Sequence, residues 1–490
     1  MTFNYPFTYN YKYNNVNGID MVPGNRHWHS TLSPSGSGIG GGHSQGTVYL
    51  PDWGVSGAIL AIYGIGMGGP GTTDSQYAFD LFDLSSNSWQ GEYVLPRSHG
   101  PTYSSSKSEV MGILGSGYSG LADVGDGAGS GPHWERHQYH SLEVDNYGYI
   151  WTVVGGHYGA ASTYGYCYPY MIKSTKPYTD PTWSYSGAGM WRHGETVQEG
   201  TAGAYQKIIT GKCSCHYNWY FVAGRKAATT TNWYVWYSPD SGNHWYQGAD
   251  ISDKTALGVS EPYTGINFQY VPEADRTLLF INYLPATVGH GFYWIDCYQM
   301  SSNKWGYASD VSPRYYDHTI SGSYSGSAFP VSLSDLKSFD KISFGNHPGA
   351  MYYDYKLDTF YMVSPASDIN WTDKLYLMYK EAGTDANWAS SQIISSNRYY
   401  LYHAYNKVFM VSGDSNDRYL FTIWLEANSS KEERCNWYAY QKVPFYNGLW
   451  TKHLICKSSG ASGFAPKHFS VSDDRRIITV GFDIGTTTTW

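Results

Sequence analysis

The chain has 490 residues, of which 49 are Tyr, 19 Trp and 55 Gly, with 15% charged side chains and a formal net charge of −8. Such a composition suits many short strands joined by tight turns rather than long helices. The negative balance argues against nucleic acid as a partner and against broad capture of a polyanion, so an anionic substrate has to meet a local cluster of Arg, His and Lys.

The start, Met1 to Asn10, lacks the basic flank and apolar run of a leader, and no stretch approaches the roughly 18 apolar residues of a membrane span. Membrane insertion is not expected. The expected location is extracellular, reached with a leader already removed or as part of a virion. Residues 1–42 alternate aromatic and polar residues and then turn Gly/Ser-rich, as an extension able to supply a ring-closing strand.

From residue 43 to 490 one unit recurs: a strand, a polar turn, then an apolar strand rich in β-branched and aromatic residues. The apolar runs are Ile59–Tyr63, Tyr149–Val153, Trp219–Val222, Leu278–Ile281, Thr359–Val363, Lys407–Val411 and Ile477–Val480, seven in all. Acidic or polar turns precede several of them, as in Asp145-Asn146-Tyr147-Gly148, Glu273-Ala274-Asp275-Arg276 and Asp473-Asp474-Arg475. Most units close on a polar turn ending in Trp, such as Ser85 to Trp89, Thr179 to Trp183 and Ser301 to Trp305. The fullest version, Ser238-Pro239-Asp240-Ser241-Gly242-Asn243-His244-Trp245, resembles the Asp-box of sialidase-like propellers. In that turn Asp240 caps backbone N–H groups, Gly242 supplies a positive φ and Trp245 plugs between units, which is a structural task and not a catalytic one. The fold expectation is therefore an all-β, seven-bladed β-propeller of four-stranded antiparallel blades forming a single domain. A solenoid would need a more regular short period.

Equivalent positions of successive blades converge on one mouth. His137, Tyr205 and Tyr263 occupy one kind of position, where the chain enters successive units. His157 and Arg225 occupy another, where second strands end, as does Tyr283 in the fourth unit. Imidazole, phenol and guanidinium groups converging on a cleft suit elimination across the C4–O4 bond of a uronate. A guanidinium neutralises the carboxylate so that the enolate-like intermediate can form. A base of near-neutral pKa removes the C5 proton, and a hydroxyl protonates the leaving oxygen.

The six Cys (Cys167, Cys213, Cys215, Cys297, Cys435, Cys456) are too few and scattered for a disulfide scaffold. Cys213, Cys215 and His216, within Lys212-Cys213-Ser214-Cys215-His216, offer two thiolates and an imidazole to a structural zinc, without the usual two-residue spacing and with no obvious fourth ligand in sequence. A structural zinc or calcium ion is the cofactor expectation, and none is required for catalysis.

The run from His137-Gln138-Tyr139-His140 through Gly155-Gly156-His157 resembles the signature segment of seven-bladed propeller ulvan lyases, polysaccharide lyase families twenty-four and twenty-five. So do Tyr168, Tyr170, Lys173 and Ser174, the turn to Trp183, and the stretch from Tyr205 to Trp245. The likeness spans about residues 130 to 310. It implies His137 as base, Tyr205 as proton donor and Arg225 as the group on the uronate carboxylate. His157 and Tyr263 would then assist binding and charge stabilisation. Tyr283, from its place at the strand end of the fourth unit, is expected as a further substrate contact. The spacing of 20 (157 − 137) agrees with the family pattern.

The expected function is thus a polysaccharide lyase acting on a uronic-acid polymer, ulvan-like or a bacterial exopolysaccharide. Two rivals stay open. A sialidase-like glycoside hydrolase would need a carboxylate pair, or an Arg triad with a Tyr nucleophile. A non-catalytic lectin or phage receptor-binding protein would use the aromatic rings to bind glycans without cutting them.

Overall fold

The computed structural model describes two short strands before residue 45 and then residues 45–94, 142–197, 203–314, 351–427 and 433–489, each range with short interruptions. Among the described residues the chain is all-β and its strand pairing antiparallel. Two 3₁₀ turns, Ser214–His216 and Pro272–Ala274, are the helical elements described. No helix there is long and apolar enough to cross a membrane.

The strands form meanders of chain neighbours. The first sheet joins Gln45–Leu50, Ala58–Ile65, Gln76–Asp83 and Ser88–Trp89, and the second joins Glu143–Val144, Ile150–Val154, Tyr170–Ser174 and Trp191–Thr196. Gly203–Thr210, Tyr220–Lys226, Trp233–Ser238 and Tyr246–Asp250 make the third. The fourth runs from Ile266–Val271 through Arg276–Pro285 and Gly291–Asp296 to Gly306–Tyr307, and the fifth from Tyr352–Asp354 through Thr359–Pro365 and Lys374–Glu381 to Ala389–Ser395. In the sixth, Lys407–Ser412, Arg418–Ala427, Glu433–Val443 and Thr451–Ser459 are joined at the outer edge by Thr487–Thr489. A hairpin, Pro466–Val471 with Ile478–Phe482, follows.

All seven apolar runs of the sequence lie in strands, or one residue before them. One position differs: Lys407–Val411 is the first strand of its sheet, and Arg418–Ala427 takes the second place. Both segments are apolar and β-branched, so pattern alone does not order them. Within 1–42, the described strands Tyr11–Lys12 and Asp20–Met21 pair with each other.

Apolar burial between successive sheets supplies the core. Leu50, Leu60 and Phe79 pack on Ile150, Ile172 and Trp191 between the first and second sheets, with Phe79 and Trp191 stacked at 4.2 Å. Between the second and third, Trp151 and Val153 meet Ile208, Tyr220, Val222 and Trp236, and Trp151 stacks on Tyr220 at 4.2 Å. Phe280 and Trp294 of the fourth meet Tyr353, Phe360 and Met362 of the fifth. Arg418 of the sixth reaches Asp354 of the fifth at 2.5 Å. The Pro466–Phe482 hairpin touches the sixth sheet on one side and Gln45–Leu50 of the first on the other.

Turn carboxylates set the hairpins. Asp145 Oδ1 accepts from the backbone N–H of Tyr147 and of Tyr149, both at 2.9 Å, and Asp83 and Asp180 do the same for Ser85 and Thr182 at 2.8 Å. In the Ser238–Trp245 turn, the His244 N–H donates to Asp240 Oδ1 at 2.9 Å, and Gly242 sits at φ +90°. A Cβ on Gly242 would overlap the Met171 thioether of the preceding sheet. Trp245 packs into the interface of the second and third sheets.

Buried phenols tie neighbouring sheets together. Tyr178 donates to Asp52 at 3.1 Å, Tyr185 to the Gly91 carbonyl at 2.6 Å and Tyr220 to Asp145 at 2.5 Å. Burial first, then nearby carboxylates, pushes Tyr178 and Tyr185 up to about 12, and raises Tyr220, Tyr353 and Tyr361 as well. A group whose folded pKa lies above its unfolded value of 10.0 contributes stability below that pH and loses it above. Burial raises Tyr93 too, and Lys173, lowered by burial, acts in the opposite sense, one lysine against six tyrosines. The urea midpoint should therefore fall as pH rises past about 10, with tyrosinate absorbance appearing together with loss of near-ultraviolet circular dichroism. Tyrosinate formation complete near pH 10 in a still-folded chain would contradict this.

Candidate functional site

Each sheet has a loop end, where its first and second strands join, and an opposite, open end. In the third sheet Thr210 pairs with Tyr220 next to the loop, and Ala204 pairs with Arg225 towards the open end. Loop 211–219 therefore absorbs the whole Cys-containing insert and leaves Arg225 in register. The ladder shifts between Ala204 and Lys207, so Tyr205 and Gln206 lie in a bulge opposite Gly224, next to the Ala204–Arg225 pair. Bulges re-aim side chains and concentrate next to active sites. Tyr283 lies on the second strand of the fourth sheet, paired with Gly291, at the same open end. His137, His157 and Tyr263 lie outside the described residues. The backbone thus puts Tyr205 one residue from Ala204, the ladder partner of Arg225, and Tyr283 on the adjacent sheet towards its open end.

The loop ends of the third and fourth sheets meet around a different set of groups. Loop 211–219 is closed by the Gly211 N–H on the Trp219 carbonyl at 2.7 Å and contains the 3₁₀ turn Ser214–His216. Gly211 is required there, since a Cβ would collide with the His216 carbonyl. The Ser214 N–H donates to Asp275 Oδ1 of the fourth sheet at 3.0 Å, and the Ser214 hydroxyl donates to the same carboxylate. Asp275 holds a left-handed conformation (φ 50°, ψ 49°) that closes its own turn. Cys297, just past strand Gly291–Asp296, is fixed by its N–H on the Thr277 carbonyl at 2.8 Å.

These loops gather Cys213, Cys215, His216 and Cys297, whose ligand atoms all lie within 4.8 Å of one another. Cys213 Sγ is 3.1 Å from Cys297 Sγ and 4.0 Å from Cys215 Sγ, and Cys215 Sγ is 2.8 Å from His216 Nδ1. Cys213 and Cys297 are buried, His216 is half-buried and Cys215 is exposed. The Cys297 thiol and then the His216 ring pull the Cys213 thiol down to about 5, while burial pushes Cys297 well up. Burial lowers His216, and the thiols of Cys213 and Cys215 more than offset it, leaving it above its usual 6.5.

The sequence reading found three of these four residues and missed Cys297, which is 84 positions from Cys213. A signal was present: both cysteines fall at the loop end of neighbouring units. Tyr147 and Tyr217, 58% and 49% exposed, meet edge-on at 6.0 Å at the loop junction of the second and third sheets.

No protein-family model matches the chain, and no curated protein matches it. Among solved structures, the polysaccharide lyase Uly1 is similar at 10% identity and a TM-score of 0.40, over 90% of this chain and 92% of that one. The α-L-arabinofuranosidase Arb93A of Fusarium graminearum aligns at 12% identity and a TM-score of 0.38, over 70% of this chain and 87% of that one. The α-L-arabinanase of Penicillium chrysogenum aligns at 11% identity and a TM-score of 0.35, over 90% and 88%. Likeness at this level assigns no activity to the chain.

Proposed function

We propose that this chain is a seven-bladed β-propeller that binds an acidic polysaccharide at one mouth and cleaves it by β-elimination. Six meanders of neighbouring strands, and a closing hairpin that touches both the sixth sheet and the first, support the ring. The observation that best supports the chemistry is the register shift after Ala204, because it puts Tyr205 one residue from the ladder partner of Arg225.

In this reading Arg225 neutralises the uronate carboxylate and His137 takes the C5 proton. The C4–O4 bond breaks as a C4–C5 double bond forms, and Tyr205 delivers a proton to O4. His157, Tyr263 and Tyr283 hold the sugar. The reaction needs no cofactor, since the guanidinium supplies the neutralising charge. A uronic-acid polymer is met outside the cell, which makes an extracellular or virion-borne setting the matching one.

Incubation with a panel of uronic-acid polysaccharides should yield ultraviolet-absorbing unsaturated uronate ends. Tyr205→Phe, which removes one hydroxyl, should slow their release by at least ~10²-fold. New reducing ends without a double bond would indicate hydrolysis and overturn the reading. Binding with no drop in viscosity would favour a lectin.

A further inference from the structure

We propose that Cys213, Cys215, His216 and Cys297 form a tetrahedral zinc site that clamps the third sheet to the fourth. The inference is independent of the lyase reading, because it concerns the opposite end of the strands. From Tyr220, beside the cluster, to Arg225 is five residues of strand, or ~17 Å.

The donor set selects the metal. Three sulfurs and one imidazole nitrogen suit Zn²⁺ among the common structural ions, whereas Ca²⁺ and Mg²⁺ demand oxygen ligands. That removes calcium from the sequence expectation for this site. With Zn–S near 2.3 Å and Zn–N near 2.0 Å, ligand atoms in a tetrahedron stand roughly 3.5–3.8 Å apart. The distances of 2.8, 3.1 and 4.0 Å bracket that spacing, so movements of under about 1 Å would seat the ion.

The unusual Cys-x-Cys-His spacing also has a local cause. Residues 213, 215 and 216 belong to one tight 3₁₀ turn and its N-cap, which brings their side chains to a common point without the two-residue gap of a zinc knuckle. The fourth ligand comes from the next sheet, so the site joins two successive units. Asp275 already holds Ser214 from across the junction, which keeps the two loops in register around the ion. Binding converts three thiols to thiolates and releases their protons, leaving a neutral imidazole as the fourth donor.

The full chain, purified under reducing conditions and dialysed against zinc, should hold one equivalent of zinc by elemental mass spectrometry. Cobalt in its place should give the intense visible bands of a tetrahedral site together with sulfur-to-cobalt charge transfer. Cys297→Ser should retain at most a tenth of the zinc, while Cys435→Ser, buried elsewhere, should retain all of it. Should Cys297→Ser fail to fold, thiol alkylation of the unmodified chain decides. Cys213, Cys215 and Cys297 should be protected when loaded and labelled after chelation. Less than a tenth of an equivalent of metal after dialysis, or a Cys213–Cys297 disulfide mapped in the reduced preparation, would overturn the assignment.

Discussion

Arg225→Ala should lower turnover of a uronate polymer by roughly 10²–10³-fold, the loss typical of removing one group aimed at developing charge. In the proposed reaction the carboxylate gains electron density as the C5 proton leaves, so the guanidinium does more in the transition state than in the ground state. The drop should therefore fall mainly on kcat, with a smaller rise in KM. Arg225→Lys should recover part of the rate, because it restores the charge and not the paired N–H geometry. Initial rates followed by the ultraviolet absorbance of the product separate these outcomes. An unchanged rate in the alanine variant would show that the ladder position of Arg225 does not deliver its side chain to the sugar.

Asp145→Ala should destabilise the protein by about 3–5 kcal/mol, the cost of stranding a buried partner charge. Lys173 Nζ lies 3.3 Å from Asp145 Oδ2, with side-chain exposures of 5% and 0%. Tyr220 donates to the same carboxylate at 2.5 Å, and Lys173 donates to the Tyr220 oxygen at 2.7 Å. The ammonium also lies 4.6 Å from the Tyr149 ring centre. Removing the carboxylate leaves a cation with two neutral acceptors, the Tyr220 hydroxyl and the Ser241 carbonyl, and two aromatic faces, and orphans the Tyr147 and Tyr149 N–H groups. Lys173→Met on the Asp145→Ala background should recover stability, since no buried charge then remains. Urea midpoints of the single and double variants measure this directly. A loss under ~1 kcal/mol in the single variant would mean that water reaches Lys173.

Much of the fold was readable in the sequence because the apolar runs carry β-branched and aromatic residues between turn-forming Asp, Asn and Gly. Tyr149–Val153 and Leu278–Ile281 are cases in point: residues 150–153 and 278–280 are buried strand segments. Lys407–Val411 was placed one strand too far out because its partner Arg418–Ala427 has the same character. What escaped the reading was set by packing between units. Asp145 reads as a turn residue, which it is, but its second oxygen serves a lysine on the third strand of its sheet and a tyrosine on the next sheet. Cys297 likewise has nothing near it in sequence to mark it as a partner of Cys213. Repeat alignment placed Tyr205 at the entry of the third unit and Arg225 near the end of its second strand, and both lie towards the open end of that sheet.

The contact between the Pro466–Phe482 hairpin and Gln45–Leu50 sets an order of events during synthesis. More than four hundred residues separate the two, so this contact can close only after the intervening sheets have been made. Contacts of such separation are slow to form. A chain that stops before Pro466 would lose both the hairpin and the Thr487–Thr489 edge of the sixth sheet, and the strand edges so uncovered favour association with neighbouring chains.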